Sequence, residues 1–186
     1  MSELRLITER LELVAATHAS VRAQIDEPDR WARLLDARVP DGWPPELTED
    51  VWEYTAERLA EGTDSEGWWT WYFVLRRDAD GGRVVIGCGG YKGRPTQDGT
   101  AEVGYSVMRQ YRRAGYATEA ARALVGWAFG HPEVTRVCAE TYPDLVPSRG
   151  VIAKLGFGFE GPGSEEGVAR YSMTRELFEK NTIATS

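Results

Sequence analysis

Apolar and polar residues alternate at the start of the chain, with Leu4, Leu6, Leu11 and Leu13 separated by polar positions in LRLITERLELVAA. A period of two predicts a strand or a short hairpin. From about Thr17 the spacing turns helical, and Thr17 is placed to cap that helix through its hydroxyl. VPDGWPPEL then interrupts, because Pro-Pro and Asp-Gly fit neither helix nor strand. LTEDVWEYTAERLAEG predicts a second helix, with Thr48 as N-cap, acids in its first turn and Gly62 as its stop. GWWTWYFVLRR and GGRVVIGCGGYKG predict two strands around the turn RRDADGGR, and TAEVGYSVM predicts another. The clearest helix is AGYATEAARALVGWAFGHP. Ala117, Ala120, Ala121, Leu124 and Ala128 share one of its faces, and Gly130 and Pro132 end it. VTRVCAETY is then a strand, LVPSRGVIAKLG a helix closed by Gly156, and VARYSMT a last strand.

Closely spaced early strands favour antiparallel pairing. The strand-helix-strand run from Glu102 to Tyr142 needs a crossover, hence one parallel pair. The expected class is a mixed α/β sheet in a single domain, residues 1–186. The tryptophans enter this picture through period: Trp69 and Trp71 should share one strand face and Trp68 the other. One of those faces could serve as an acceptor or homodimer surface. Trp127 reads as core.

Composition narrows the partners. The chain has 186 residues, 42% of them hydrophobic, and a formal net charge of -7. That is enough apolar material for a core, and it leaves no global basic field for nucleic acid or an anionic membrane. The opening MSELRLITERLELV carries charges throughout, unlike a signal peptide. No apolar run approaches the roughly 18 to 20 residues of a membrane span. The expectation is therefore a cytoplasmic protein with neither nucleic acid nor membrane as partner. Cys88 and Cys138 lie in separate apolar strands and read as buried thiols. With only two histidines as well, no metal site is expected. Charge is uneven: Asp41 to Glu66 holds nine acids and one arginine. Such a stretch is either a solvated helix face or an acidic rim for a cationic substrate.

The stretch RRAGYATEA, Arg112 to Ala120, carries the densest chemistry. A helix start presents unpaired N–H groups and the positive end of the dipole, which suit phosphate. Gly115 lets a ligand approach the backbone, since it has no Cβ. Arg112 and Arg113 add guanidinium charge, and Thr118 a hydroxyl. Neither GxxxxGK[ST] nor a strand-following GxGxxG is present, which argues against a nucleotide-binding regulator.

Arg112-Arg113-Ala114-Gly115-Tyr116-Ala117 resembles the acyl-CoA pyrophosphate loop, Q/R-x-x-G-x-G/A, of the GNAT family of N-acetyltransferases. AEVGYSV before it, ATEAARALVGWAF after it and the later CAETYPDLVPSRGVIAKLGF resemble that family's central strand, Ala-rich helix and strand-helix segment. The resemblance covers roughly Leu6 to Thr174. It is strongest to the ribosomal-protein N-terminal-acetyltransferase-like subgroup. It implies a central, mostly antiparallel sheet with one parallel splayed pair and helices on both faces. It also implies acetyl-CoA as cosubstrate, held by Val107, Met108, Arg112, Arg113, Ala114, Gly115, Tyr116, Ala117 and Thr118. The family places a base near Glu102, which would take the proton of the attacking amine through a water. Ser148 is either a group at the thiol end or an N-cap. Glu140, Tyr142 and Trp43 are candidates for the acceptor side. Glu119 is expected to make a structural contact, and His131 to cap a helix end.

The late segment departs from the family pattern D-N-x-A-S-x-R-V-L-E-K-L-G-F. Leu145 replaces the asparagine, Pro147 the alanine and Gly150 the arginine. Ile152 stands where many members carry a tyrosine that protonates the leaving thiolate. The expected activity is acetyl transfer to a primary amine, a peptide N-terminus or a small cationic amine, by direct attack in a ternary complex. The alternative is a non-catalytic acyl-CoA-binding module of the same fold.

Overall fold

The computed structural model describes residues 4–46, 48, 51–62 and 66–183. Eight strands, β1 (Arg5–Ile7), β2 (Leu11–Ala15), β3 (Thr70–Leu75), β4 (Val84–Tyr91), β5 (Thr100–Val107), β6 (Arg136–Thr141), β7 (Gly158–Pro162) and β8 (Ala169–Thr174), lie in the order β1-β2-β3-β4-β5-β6-β8-β7. The helices are α1 (His18–Asp26), α2 (Pro28–Leu35), α3 (Val51–Ala60), α4 (Tyr116–Phe129), α5 (Val146–Leu155) and α6 (Arg175–Ile183). Strands β5 and β6 pair in parallel, and the pairs β1–β2, β2–β3, β3–β4, β6–β8 and β7–β8 are antiparallel. The chain packs as two compact units, Met1–Gly90 with Tyr105–Ala120, and Tyr91–Gly104 with Ala121–Ser186.

In the first unit β1 and β2 form the expected hairpin, with Leu6 opposite Leu13. Thr17 caps α1: its hydroxyl accepts from the Ser20 N–H at 3.1 Å, and Ser20 Oγ accepts from the Thr17 N–H at 2.9 Å. The single helix read from Thr17 onward is in fact two. Pro28 cannot donate to the α1 ladder and instead opens α2 at its first position, where no donor is needed. Among the described residues α3 runs from Val51, close behind Thr48. The Thr48 hydroxyl donates back to the Pro45 carbonyl at 2.6 Å, and its carbonyl accepts from the Val51 N–H. Glu49 and Asp50, of the expected first turn, lie outside the described residues.

Trp31, Trp43, Trp52 and Tyr72 pack together, with ring centroids 5.0 to 6.1 Å apart. Burial of each such ring contributes about 2–3 kcal/mol. Trp69 packs against this same cluster, which holds Tyr72 and Val74. It therefore does not follow the parity of Trp71, because strand geometry starts only at Thr70. Trp68 and Trp71 are buried, so neither offers a free aromatic face, and the Trp71 indole donates to the Gly67 carbonyl at 2.7 Å.

In the second unit β6 pairs with β8 along six positions, and β7 pairs with the outer side of β8. The parallel ladder is short: Thr100, Ala101 and Glu102 face Arg136, Val137 and Cys138. Val103 and Gly104 run on beyond its last registered pair. Leu124, Val125 and Ala128 bury the inner face of α4, and Trp127 is half-buried against Tyr91. Arg175 opens α6 and gathers carbonyls at the end of α4, donating to Phe129, His131 and Val134 at 2.7 to 3.0 Å. Strand β7 and helix α6 carry too weak a pattern to be read from sequence. Among the described residues no helix is long and apolar enough to cross a membrane.

Candidate active site

The Arg-Arg-Ala-Gly loop lies in the first unit. A 3-10 turn, Arg109–Tyr111, leads into it, and α4 starts at Tyr116. Two residues on the way have positive φ, Arg113 at 64° and Gly115 at 87°. Arginine in this region is strained by about 1–2 kcal/mol, whereas glycine accepts it freely. The first helical bond of α4 runs from the Glu119 N–H to the Gly115 carbonyl, at 3.0 Å. The N–H groups of Tyr116, Ala117 and Thr118 therefore precede the ladder and face the helix entrance.

Arg10, on the β1–β2 turn, holds this loop from one side. Its guanidinium donates to the Ala114 carbonyl at 2.8 Å and lies over the Tyr116 ring, 4.5 Å from the centroid. Glu119 holds Arg10 in turn, accepting from its Nε at 2.7 Å and its N–H at 2.8 Å, and from the Thr8 hydroxyl at 2.6 Å. Burial opposes the Glu119 charge, but these donors outweigh it and the carboxyl is held below its ordinary range. Glu119 is thus the structural contact expected of it. Sequence pattern gave no sign of Arg10, which lies 109 residues from Glu119.

Arg112 is already engaged. Its Nε donates to the Val107 carbonyl at 2.8 Å and its Nη2 to Glu46 at 3.0 Å. Met108 donates its N–H to the Ile86 carbonyl at 2.8 Å, and its own carbonyl accepts from Tyr111. These are internal partners of the backbone groups that the resemblance assigns to the pantetheine arm.

The second unit holds the carboxylates. Glu102 is the last β5 residue in the parallel ladder, and its side chain is 19% exposed. It forms an ion pair with Lys92, whose N–H also donates to the Glu102 carbonyl at 3.2 Å. Glu140, near the end of β6, accepts from the Ser164 N–H at 3.0 Å, the Ser164 hydroxyl at 2.6 Å and Arg170 Nε at 2.8 Å. Burial would raise its pKa; the Ser164 and Arg170 donors reverse that and hold the carboxyl at about 2. Glu140 is therefore a fixed anion that pins the β7–β8 connection. Neither Lys92 nor Arg170 stood out in the sequence, because both pairs form between different strands.

Ser148 sits in the first turn of α5, half-buried, but the N-cap is Leu145, so the capping reading is corrected. Pro147 occupies the first turn without a donor to satisfy. Ile152 is buried at 2%, so the tyrosine position of relatives is apolar core here. Tyr142 is exposed. Trp43 is half-buried beside the buried rings of Trp31 and Trp52, and its indole N–H meets no acceptor among the described residues. His131 Nδ1–H donates to the Trp127 carbonyl, 2.9 Å away, as a helix-end cap should. Cys88 and Cys138 are free and buried. Among the described residues no group of three His, Cys, Asp or Glu is placed to hold a metal ion.

The short parallel β5–β6 pair and the loop from β5 into α4 are the arrangement that the sequence resemblance implied. The acetyltransferase (GNAT) domain matches residues 10–158. The chain belongs to the GNAT family and is an acetyltransferase. The uncharacterized N-acetyltransferase YjdG of Bacillus subtilis (strain 168) is 30% identical over 152 residues, 82% of this chain and 88% of that protein. A putative ribosomal-protein-serine acetyltransferase from Vibrio cholerae superposes with a TM-score of 0.63 at 19% identity, covering 94% of this chain and 99% of the other. RimL, a ribosomal L7/L12 alpha-N-protein acetyltransferase solved in complex with coenzyme A, superposes with a TM-score of 0.61 at 17% identity, covering 91% and 96%. At such identities these two structures show the fold.

Proposed function

We propose that the chain transfers the acetyl group of acetyl-CoA to a primary amine by direct attack in a ternary complex. The observation that carries this reading is the loop: two positive-φ residues lead into three first-turn N–H groups of α4 at the family's pyrophosphate position. Those donors, with Arg113 and the Thr118 hydroxyl, suit a pyrophosphate. Arg112 joins them by exchanging Glu46 for phosphate. The acetyl thioester is the electrophile. The acceptor must first lose a proton, which an α-amine with pKa about 7.7–8.0 does more readily than a lysine amine at about 10.4. Glu102 receives that proton as general base, a role worth roughly 10²–10⁴-fold. Ser148 is the candidate donor toward the sulfur, and Tyr142, Glu140 and Trp43 belong to the acceptor side. The acceptor class is a peptide N-terminus or a small cationic amine.

The test is a calorimetric titration with acetyl-CoA, with ATP as competitor, followed by a screen of amines for thiol release. Acetyl-CoA binding without ATP binding, then turnover, supports the reading. Gly115→Glu should abolish binding in a folded protein, because it sets bulk and negative charge against the phosphates. Glu102→Gln should keep acetyl-CoA affinity and lose at least about a hundredfold in turnover, the lower end for a positioned base. Buried Ile152, in place of a thiolate-protonating tyrosine, favours the second reading, a binding module without turnover. Binding with no thiol release from any amine would select it.

A further inference from the structure

The chain contains three lysines, Lys92, Lys154 and Lys180. Lys92 alone is ion-paired with Glu102. It follows the last residue of β4, and a backbone bond from its N–H to the Glu102 carbonyl fixes the stem as well as the head. Desolvation disfavours its ammonium, but Glu102 in contact and the charges of Glu140 and Glu165 keep it protonated, above its ordinary pKa. A primary amine is thus already seated on the carboxylate that the proposed mechanism uses as its base.

We propose that Lys92 is itself an acceptor, acetylated at Nζ by the chain's own acetyl-CoA and Glu102. This rests on the proposed function above. The Lys92 ammonium gives one proton to Glu102, and the freed lone pair attacks the thioester carbonyl carbon. A C–N bond forms, the C–S bond breaks, and the second proton lost from nitrogen passes to the CoA thiolate. Glu102 returns its proton to solvent. The products are acetyl-Lys92, CoA with a free thiol and one proton, with no redox change. Because Lys92 is held charged, the reaction should quicken as pH rises. Acetylation also removes the cation from Glu102, so a modified molecule presents an unpaired base to other amines.

The chain supplies its own control. Lys180 is 69% exposed and pairs with Glu176 at 2.6 Å, against 67% exposure and a carboxylate pair for Lys92. Random chemical acetylation should not favour Lys92, whose ammonium is held charged. Purified full-length protein is incubated with acetyl-CoA at mildly alkaline pH and mapped by peptide mass spectrometry, with acetyl-CoA binding measured in parallel. Acetylation of Lys92 should outpace that of Lys180 by at least about a hundredfold, the lower end for a positioned base. Glu102→Gln should reduce Lys92 to the Lys180 rate, and Lys92→Arg should abolish the signal while leaving a folded protein. Acetyl-CoA binding with equal rates at Lys92 and Lys180 overturns this inference and leaves the proposed function intact. A Lys92 lead that survives Glu102→Gln overturns it as well. Failure to bind acetyl-CoA at all overturns the proposed function, and the inference with it.

Discussion

Glu140→Gln removes one charge from the second unit with little change of shape. The Glu140 side chain is 7% exposed, and Arg170 binds it through Nη2 at 2.6 Å as well as through Nε. A fall from the ordinary 4.5 to about 2 corresponds to a ceiling of about 3 kcal/mol of folding stability. Arg170 is itself about a third exposed, and solvent screening reduces this to about 1–2 kcal/mol. The sign follows from the depressed pKa. The stabilisation is complete above the ordinary pKa of 4.5 and is lost as pH falls toward about 2. Glutamine keeps an acceptor for Ser164 but forfeits the charge facing Arg170. Urea unfolding of both proteins across the acid range is the assay. The wild type should be more stable by about 1–2 kcal/mol near neutrality, equivalent to about 2–8 °C in Tm, and the gap should close as pH approaches 2. A gap that stays constant on acidification, or no gap at pH 7, would refute the assignment of Glu140 as a buried anion in this clasp.

Glu119→Ala leaves the Arg10 guanidinium and N–H and the Thr8 hydroxyl without their shared acceptor. It should cost about 2 kcal/mol and lower Tm by about 4–8 °C; scanning calorimetry that finds no shift would make the clasp ornamental. Burial raises the Cys88 thiol to about 12 and the Cys138 thiol to about 11, so both should resist a thiol reagent at pH 8 in native protein and react together in urea. A fast-reacting thiol in the native state would contradict their burial.

Local signals were readable and distant ones were not. The Thr17 cap, the apolar face of α4 and the Gly156 stop each depend on residues within a few positions of one another, and each was legible. Pro28 lies inside the helical stretch that starts at Thr17 and opens a second helix there, a break that the continuing apolar spacing of Trp31 and Leu35 hides. Strand β7 is almost wholly exposed apart from Gly161, so it lacks the alternation that betrays a strand. The Trp69 error has a similar root: a period holds only once the backbone is extended, and the strand starts one residue later. The loop of the candidate site was legible because a helix entrance, a glycine and two arginines are contiguous. Its clasp was not, since Arg10 reaches Ala114 only after the chain has folded. The same holds for Lys92 on Glu102 and Arg170 on Glu140, where strand pairing supplies the neighbour.

Glu102, Arg112, Glu119 and Glu140 each have an ionic partner, and exposure separates these pairs. Glu119 with Arg10 and Glu140 with Arg170 have carboxylates that are nearly covered and accept backbone or hydroxyl donors as well. Breaking either leaves several donors without their shared acceptor, a loss of about 1–2 kcal/mol, so these pairs act as scaffold. Glu46 is 62% exposed in its pair with Arg112, and such a surface pair is worth about 0–1 kcal/mol. A phosphate can therefore take Arg112 from Glu46 at little cost, while the Arg112 Nε bond to Val107 keeps the guanidinium in place. Lys92 with Glu102 lies between these cases: the lysine is mostly exposed and the glutamate is not. An incoming ammonium can displace Lys92 without leaving Glu102 unpaired, because it brings the same charge. Under the proposed function, the pairs that yield are those a phosphate and an amine would replace, while the pairs that hold are internal ties of each unit.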